Sequence, residues 1–328
     1  MSLQLWSKQI RRTVSELMSR STRRNRREKT WKSSEIQPLE ERVLLSGTPV
    51  ATEVLLNSTT RLPQISDFRA NQAVAGLPNG GFVSVWESLA QDGSGWGVYG
   101  QTFDESGNRV GTEFRINQQT RFSQQAPSVD VSADGRFVVA WQSFHQDGSV
   151  NSVIARIFNA DGSAATNEFL VNQTTRGIQG NADVSFLKNG NLVVTWHGRG
   201  NGDRFGVFAR VFSSTGGAVT NEFGVSEFTK GLQYDPTIAG DSTGGFWVAW
   251  SGRTSGDLRA ISARRFTADG TPLGGQFRVN QYTKHLQDRP AIAASDDGRV
   301  LIGWQSQRQD GSALGVYARL YNVDGSAR

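Results

Sequence analysis

The 328-residue chain contains no cysteine, which excludes a disulfide frame and any thiolate metal or redox site. Its stability must come from an apolar core. No apolar run approaches the ~20 residues that a membrane-spanning helix needs. Histidine is scarce: His145, His197 and His285 fall at unrelated places along the chain. No His-metal spacing, Ser/His/Asp order or phosphate loop occurs, and the sequence implies no cofactor and no metal. Net positive charge is missing from most of the chain. Residues 1–50 carry eleven Lys/Arg and five Asp/Glu, a net of +6, whereas the rest carries 24 and 25, a net of −1. The basic pI therefore belongs to the N-terminal segment, and the remainder has no electrostatic case for nucleic acid.

What the chain does have is a repeat. FVVAWQS at Phe137–Ser143 recurs as FVSVWES, LVVTWHG, FWVAWSG and VLIGWQS. The tryptophans Trp86, Trp141, Trp196, Trp250 and Trp304 are spaced by 55, 55, 54 and 54 residues. A fixed period near 50 residues marks a propeller or solenoid. Short runs of β-branched and aromatic residues, punctuated by Gly, Asp, Asn and Ser, mark an all-β chain. Units start at Thr52, Thr112, Asn167, Asn221 and Gly275, and each reads as four strands. Asn-Gly or Asp-Gly turns recur at Asn79-Gly80, Asp134-Gly135, Asn189-Gly190 and Asp297-Gly298. That dipeptide between apolar runs is a strong hairpin signal.

The expected fold is a five-bladed β-propeller of four-stranded antiparallel blades over residues 48–328. Small residues in QAVAG, PTIAG and PAIAA suit innermost strands near the axis. FVVAW is apolar on both faces, as a strand covered by blades on either side should be. The tryptophans then wedge between blades. TEVLLN at Thr52–Asn57 is a spare strand, and the last unit has only three. The expectation is that residues 53–57 pair with Val316–Tyr321 and close the ring, covering an open edge.

Residues 1–47 form a separate basic tail. Leu3, Trp6, Ile10, Val14 and Leu17 have helical spacing, with Lys8, Arg11 and Arg12 beside them. The stretch from Arg20 to Lys32 cannot build a core and is expected to be disordered. The tail lacks the apolar region of an ordinary secretory signal. Pro38–Gly47, PLEERVLLSG, resembles the LEPR-XLL motif of large exported or surface proteins, notably of planctomycetes. Leu39, Glu40, Arg42, Leu44 and Leu45 carry the likeness, and Glu41 stands where the family has proline. The repeats resemble the WQS/QDGS/GVYAQRF/EFxVN units of large bacterial surface proteins, often found beside calcium-binding or cadherin-like modules. These resemblances imply an extracellular or cell-surface location and no chemistry.

Candidate site residues follow from loops and from broken symmetry. Thr-[Arg/Lys]-x-x-Gln recurs between units and places Arg61, Arg121, Arg176, Lys230 and Lys284 around one rim. These cations could hold an anion or acidic glycan, or the motif could simply brace the loop. Asp92, Asp147 and Asp310, with Asp203 and Asp257 shifted by one, sit one per loop, and a calcium loop needs several oxygen ligands. Trp96 and Phe205 are expected to be exposed and to suit sugar or protein contact. The expected function is therefore a non-catalytic binding or structural module, not an enzyme. Its partner would be an unknown glycan or surface protein, and the chain would be monomeric. Two alternatives stand. One is a propeller glycoside hydrolase using Glu87 with Asp130 or Asp183, which would need carboxyls about 5–9 Å apart across an open channel. The other is a piece of a longer calcium-dependent, adhesin-like array.

Overall fold

A computed structural model describes residues 53–60, 62–66, 72–200, 202–254 and 257–328, the side chains of 257 and 258 excepted. The basic segment 1–47, with its expected helix and export motif, lies outside the described residues. No helix occurs among the described residues; twenty antiparallel strands form five sheets in a propeller-like, all-β arrangement.

The first sheet comprises β1 (Gln64–Ile65), β2 (Val74–Gly76), β3 (Phe82–Leu89), β4 (Trp96–Phe103) and β5 (Arg109–Arg115). Both β1 and β2 pair with β3, so the innermost position is shared by two short strands. The second sheet has β6 (Gln124–Val131), β7 (Phe137–Phe144), β8 (Asn151–Phe158) and β9 (Phe169–Leu170) in that order. The third repeats it with β10 (Gln179–Phe186), β11 (Leu192–Gly200), β12 (Asp203–Phe212) and β13 (Phe223–Gly224). The fourth has β14 (Gln233–Gly240), β15 (Phe246–Thr254), β16 (Asp257–Phe266) and β17 (Phe277–Arg278). The last has three strands, β18 (Gln287–Ala294), β19 (Arg299–Gln307) and β20 (Leu314–Asn322).

The local chemistry of each hairpin is that expected. Gly135 has φ 85°, and its N–H donates to the Ser132 carbonyl at 2.9 Å. A side chain there would be strained, which is why glycine follows aspartate in this turn. The outermost strands of the second, third and fourth sheets are shorter than the sequence suggested. Only two residues pair in β9, and the strand end is held instead by Asn172, whose Oδ1 accepts the Val153 N–H at 2.8 Å. Asn117 and Asn280 do the same for Val98 and Ile261 at 2.8 Å.

The core lies between sheets. Val138, Ala140, Val153 and Ile157 of the second sheet pack on Val194, Trp196, Phe208 and Phe212 of the third. Trp141 and Trp196 are fully buried, and Trp86, Trp250 and Trp304 are at most 6% exposed. Both faces of β7 are buried, as its apolar run required. Each innermost strand of sheets two to five carries a bulge, at Ala126, Asn181, Asp235 and Arg289, all with φ near +50°. A bulge re-aims side chains and leaves a residue unpaired, so proline is tolerated beside it at Pro127, Pro236 and Pro290.

The expected closure is not found. Residues 53–60 form no strand. Glu113 of β5 accepts the Ser58 N–H at 2.7 Å, and Arg109 donates to the carbonyls of Leu55 and Asn57 at 2.7 and 2.9 Å. These bonds hold the segment on the first sheet. The same contact recurs between sheets, from the Gln118 N–H to Glu168 and from the Gln173 N–H to Glu222 at 2.8 Å. The last sheet packs on the fourth through Val300, Ile302 and Trp304. Its other face is open: Leu301 is 46% and Val316 84% exposed.

Candidate functional site

The acids singled out by broken symmetry are structural. Glu87 is fully buried on β3, and its Oε1 accepts the Ala126 N–H of the next sheet at 2.6 Å. Asp130 accepts the Phe186 N–H, again one sheet on, at 2.7 Å. Burial pushes its carboxyl above the usual range. Asp183 spans three sheets. It accepts the Ser128 hydroxyl at 2.6 Å on one side, and the Thr237 hydroxyl and Ile238 N–H at 2.9 and 3.0 Å on the other. Burial raises its pKa to about 6 against the pull of those donors. All three carboxyls are used to tie inner strands together. The catalytic pairing of Glu87 with Asp130 or Asp183 is therefore corrected: Glu87 and Asp183 are buried, and the half-buried Asp130 is held by the next sheet.

The loop motif also braces itself. The Gln124 amide donates to the Arg121 carbonyl at 3.1 Å, and Gln287 to the Lys284 carbonyl at 3.4 Å. In the third repeat Gln179 reaches Thr174 at 3.0 Å. The side chains of Arg121, Arg176, Lys230 and Lys284 remain exposed, and Arg61 lies outside the described residues. The Asp-Gly loops are single-carboxylate turns, in which Asp92, Asp147 and Asp310 accept the N–H of Ser94, Ser149 and Ser312 at 3.2, 3.0 and 2.9 Å. Asp203 likewise accepts the Phe205 N–H at 3.0 Å. The side chain of Asp257 lies outside the description. Among the described residues no group of three or more metal-ligating side chains gathers.

Trp96 and Phe205 part company. Trp96 is half-buried where the sequence suggested exposure, because its strand start is drawn toward Ser123, whose Oγ accepts the Trp96 N–H at 3.3 Å. Phe205 is 45% exposed and stands at the rim of a cavity of about 440 Å³ between the third and fourth sheets. Ile178, Leu232 and Tyr234 supply its apolar wall, with His197 and Arg204 alongside. The Arg204 guanidinium lies 5.6 Å from the Phe205 ring centre.

Polar groups gather at the Tyr234 edge of this cavity. The Arg259 guanidinium lies 5.4 Å from the Tyr234 ring centre and 3.6 Å from the Asp288 carboxylate. The Asn181 amide donates to Asp235 at 2.8 Å. Burial first, then the negative charge of Asp288 and, more weakly, of Asp235, raises the Tyr234 phenol, so it stays protonated. Two carboxylates from neighbouring innermost strands thus act on one phenol beside an apolar cavity. The sequence analysis overlooked both. The signal lies just after the repeated glutamine: Gln-Gln-Ala, Gln-Gly-Asn, Gln-Tyr-Asp and Gln-Asp-Arg, beginning at Gln124, Gln179, Gln233 and Gln287. Only the last two put a carboxylate there.

No family model and no curated protein matches the chain. Solved structures do. A Dyadobacter fermentans protein of unknown function is similar over 81% of this chain and 84% of its own, at 12% identity and a TM-score of 0.55. An α-L-arabinofuranosidase from Lactobacillus brevis is similar over 79% of this chain and 93% of its own, at 9% identity and a TM-score of 0.45. A xylan β-1,4-xylosidase from Bacillus halodurans is similar over 81% of this chain and 55% of its own, at 12% identity and a TM-score of 0.45. The expectation of a non-catalytic module, and of no enzyme, is corrected by these neighbours. Glycoside hydrolases are among the structures this chain is similar to. At such identities the likeness is one of fold: an all-β, propeller-like chain.

Proposed function

We propose that the chain is a propeller glycoside hydrolase whose site lies at the cavity between the third and fourth sheets. The observation that supports this is Tyr234 on the cavity wall, with Arg259 packed 5.4 Å from its ring centre and 3.6 Å from Asp288, and with Asp235 next to it in the chain. Hydrolysis of a glycosidic bond needs two positioned carboxyl groups, one to protonate the leaving oxygen and one to attack or to activate water. Asp288 faces the Arg259 guanidinium and takes the base or nucleophile role. Asp235, on the Asn181 amide, takes the acid role. The protonated Tyr234 hydroxyl donates to a carboxylate or a sugar oxygen, and Phe205 offers a face for the sugar ring to stack on. An exported or cell-surface location belongs to this proposal and rests on the likeness of Leu39–Leu45 to the export motif.

The test is release of nitrophenol from a panel of pentosides and hexosides. Wild-type turnover is expected on at least one, with Asp288→Asn and Asp235→Asn each lowering kcat/KM by about 10²–10⁴. No turnover across the panel, or turnover unchanged in both variants, refutes the assignment.

A further inference from the structure

At one of the two positions that follow each rim cation, the second to fifth repeats carry an exposed apolar side chain. Phe122 is 42%, Ile178 53%, Leu232 54% and Leu286 38% exposed. Soluble surfaces do not ordinarily repeat such tips, and a contiguous set marks an interaction site. Each follows a cation: Arg121, Arg176, Lys230 and Lys284, all exposed. Among the described residues none of the four is in a salt bridge. The four loops open at the same end, because each leads into the start of an innermost strand, where Gln124, Gln179, Gln233 and Gln287 pair with the far ends of β7, β11, β15 and β19.

Three acids at this end are half-buried. Glu113, Glu168 and Glu222 accept loop backbone N–H groups from Ser58, Gln118 and Gln173. Glu227, paired with Arg264 at 2.8 Å, and Asp310 are exposed beside the projecting cations and apolar tips. The loop also holds bulky residues in a strained backbone: Phe122 has φ 68° and His285 φ 63°. A large exposed side chain kept in the left-handed region points to a role for its position.

We infer that this rim docks on an anionic lipid surface. Tips carried by successive sheets at one end can touch a plane together, whereas a groove-bound peptide would meet only neighbours. Apolar tips enter the boundary between headgroups and acyl chains while adjacent Lys/Arg meet lipid phosphates. The cavity lined by Ile178 and Leu232 then faces the lipid surface. The inference stands whether or not the chain hydrolyses glycosides.

The experiment sediments the full chain with phosphatidylcholine vesicles, with and without phosphatidylglycerol. Sedimentation is expected with the anionic vesicles only. The triple variant Ile178→Ser, Leu232→Ser, Leu286→Ser should lower partitioning at least about tenfold. The basic segment 1–50 could bind anionic vesicles unaided, so a second readout is specific to the rim. The chain has no cysteine, and Ile178→Cys can carry a single environment-sensitive fluorophore. Its emission should shift to the blue when anionic vesicles are added. An unshifted label, or a triple variant that sediments like the wild type, overturns the inference. Capture by a soluble polyanion with no blue shift on vesicles would show charge alone and overturn it equally.

Discussion

Ser128 donates its hydroxyl to Asp183 at 2.6 Å across a sheet boundary, 55 residues along the chain. That separation is the repeat length itself, and Asp183 meets Thr237 54 residues further on. The carboxyl thus sits where the second, third and fourth innermost strands meet. Asp183→Ala would orphan two hydroxyls and a buried N–H, each costing about 1–3 kcal/mol. A loss of at least about 3 kcal/mol is expected in urea unfolding. A loss below about 1 kcal/mol would mean that the strands do not depend on this brace.

The same carboxyl sets a pH dependence. Its folded pKa, about 6, is above its ordinary value of 3.8. The folded chain therefore holds a proton that the unfolded chain releases, and stability falls as pH rises from about 4 to about 6. The contribution is on the order of 3 kcal/mol, fully present below pH 4 and lost above 6. Asp183→Asn should flatten that slope. An unchanged slope in the variant would assign the dependence elsewhere.

Trp141 is fully buried among Val83, Val85 and Ile116 of the preceding sheet and Ile154 of its own. Trp141→Ala leaves a cavity between two sheets and should cost about 3–5 kcal/mol. Calorimetry on the variant checks this, and a shift of the melting point by less than a degree would contradict the packing described.

Gly245 is constrained by backbone, not by a flexible side chain. A Cβ there would lie 2.3 Å from the Phe266 carbonyl oxygen. Gly245→Ala must push the start of β15 away from the end of β16, at a cost of about 1–3 kcal/mol as for overpacking. Gly190→Ala has open space around its Cβ but φ 83°, so its cost is backbone strain alone, about 1–2 kcal/mol. Comparing the two variants separates crowding from conformation.

At the proposed site, Tyr234→Phe removes one hydroxyl from beside Asp288 and keeps the ring against Arg259. Turnover should fall while the melting point stays within a few degrees. Phe205→Ala, at the exposed rim, should raise KM with little change in kcat, as loss of a stacking face does. Equal loss of kcat and stability in both variants would recast these residues as packing.

The repeat, the strand order within the three middle sheets, the turn glycines and the buried tryptophans were legible in the sequence. Each depends on neighbours close along the chain, or on a period that shows directly in the residues. The all-apolar run FVVAW already required cover on both faces, and Trp141 is buried as that pattern demands. What tertiary structure alone decided were relations between residues one repeat apart. The sequence marked Glu87, Asp130 and Asp183 as unusual, but their carboxyls are spent on the next sheet's inner strand, a contact no local pattern reveals. Asp235 and Asp288 are unremarkable as letters. A bulge on each innermost strand and the abutment of two sheets bring them to the same phenol. The closure failed for the same reason. TEVLLN matches the pattern of an outermost strand, yet Arg109 donates to its carbonyls at Leu55 and Asn57, and Glu113 accepts the N–H of Ser58 just after it, on the first sheet. Periodicity determines what a segment resembles; competition among partners in space determines where it binds.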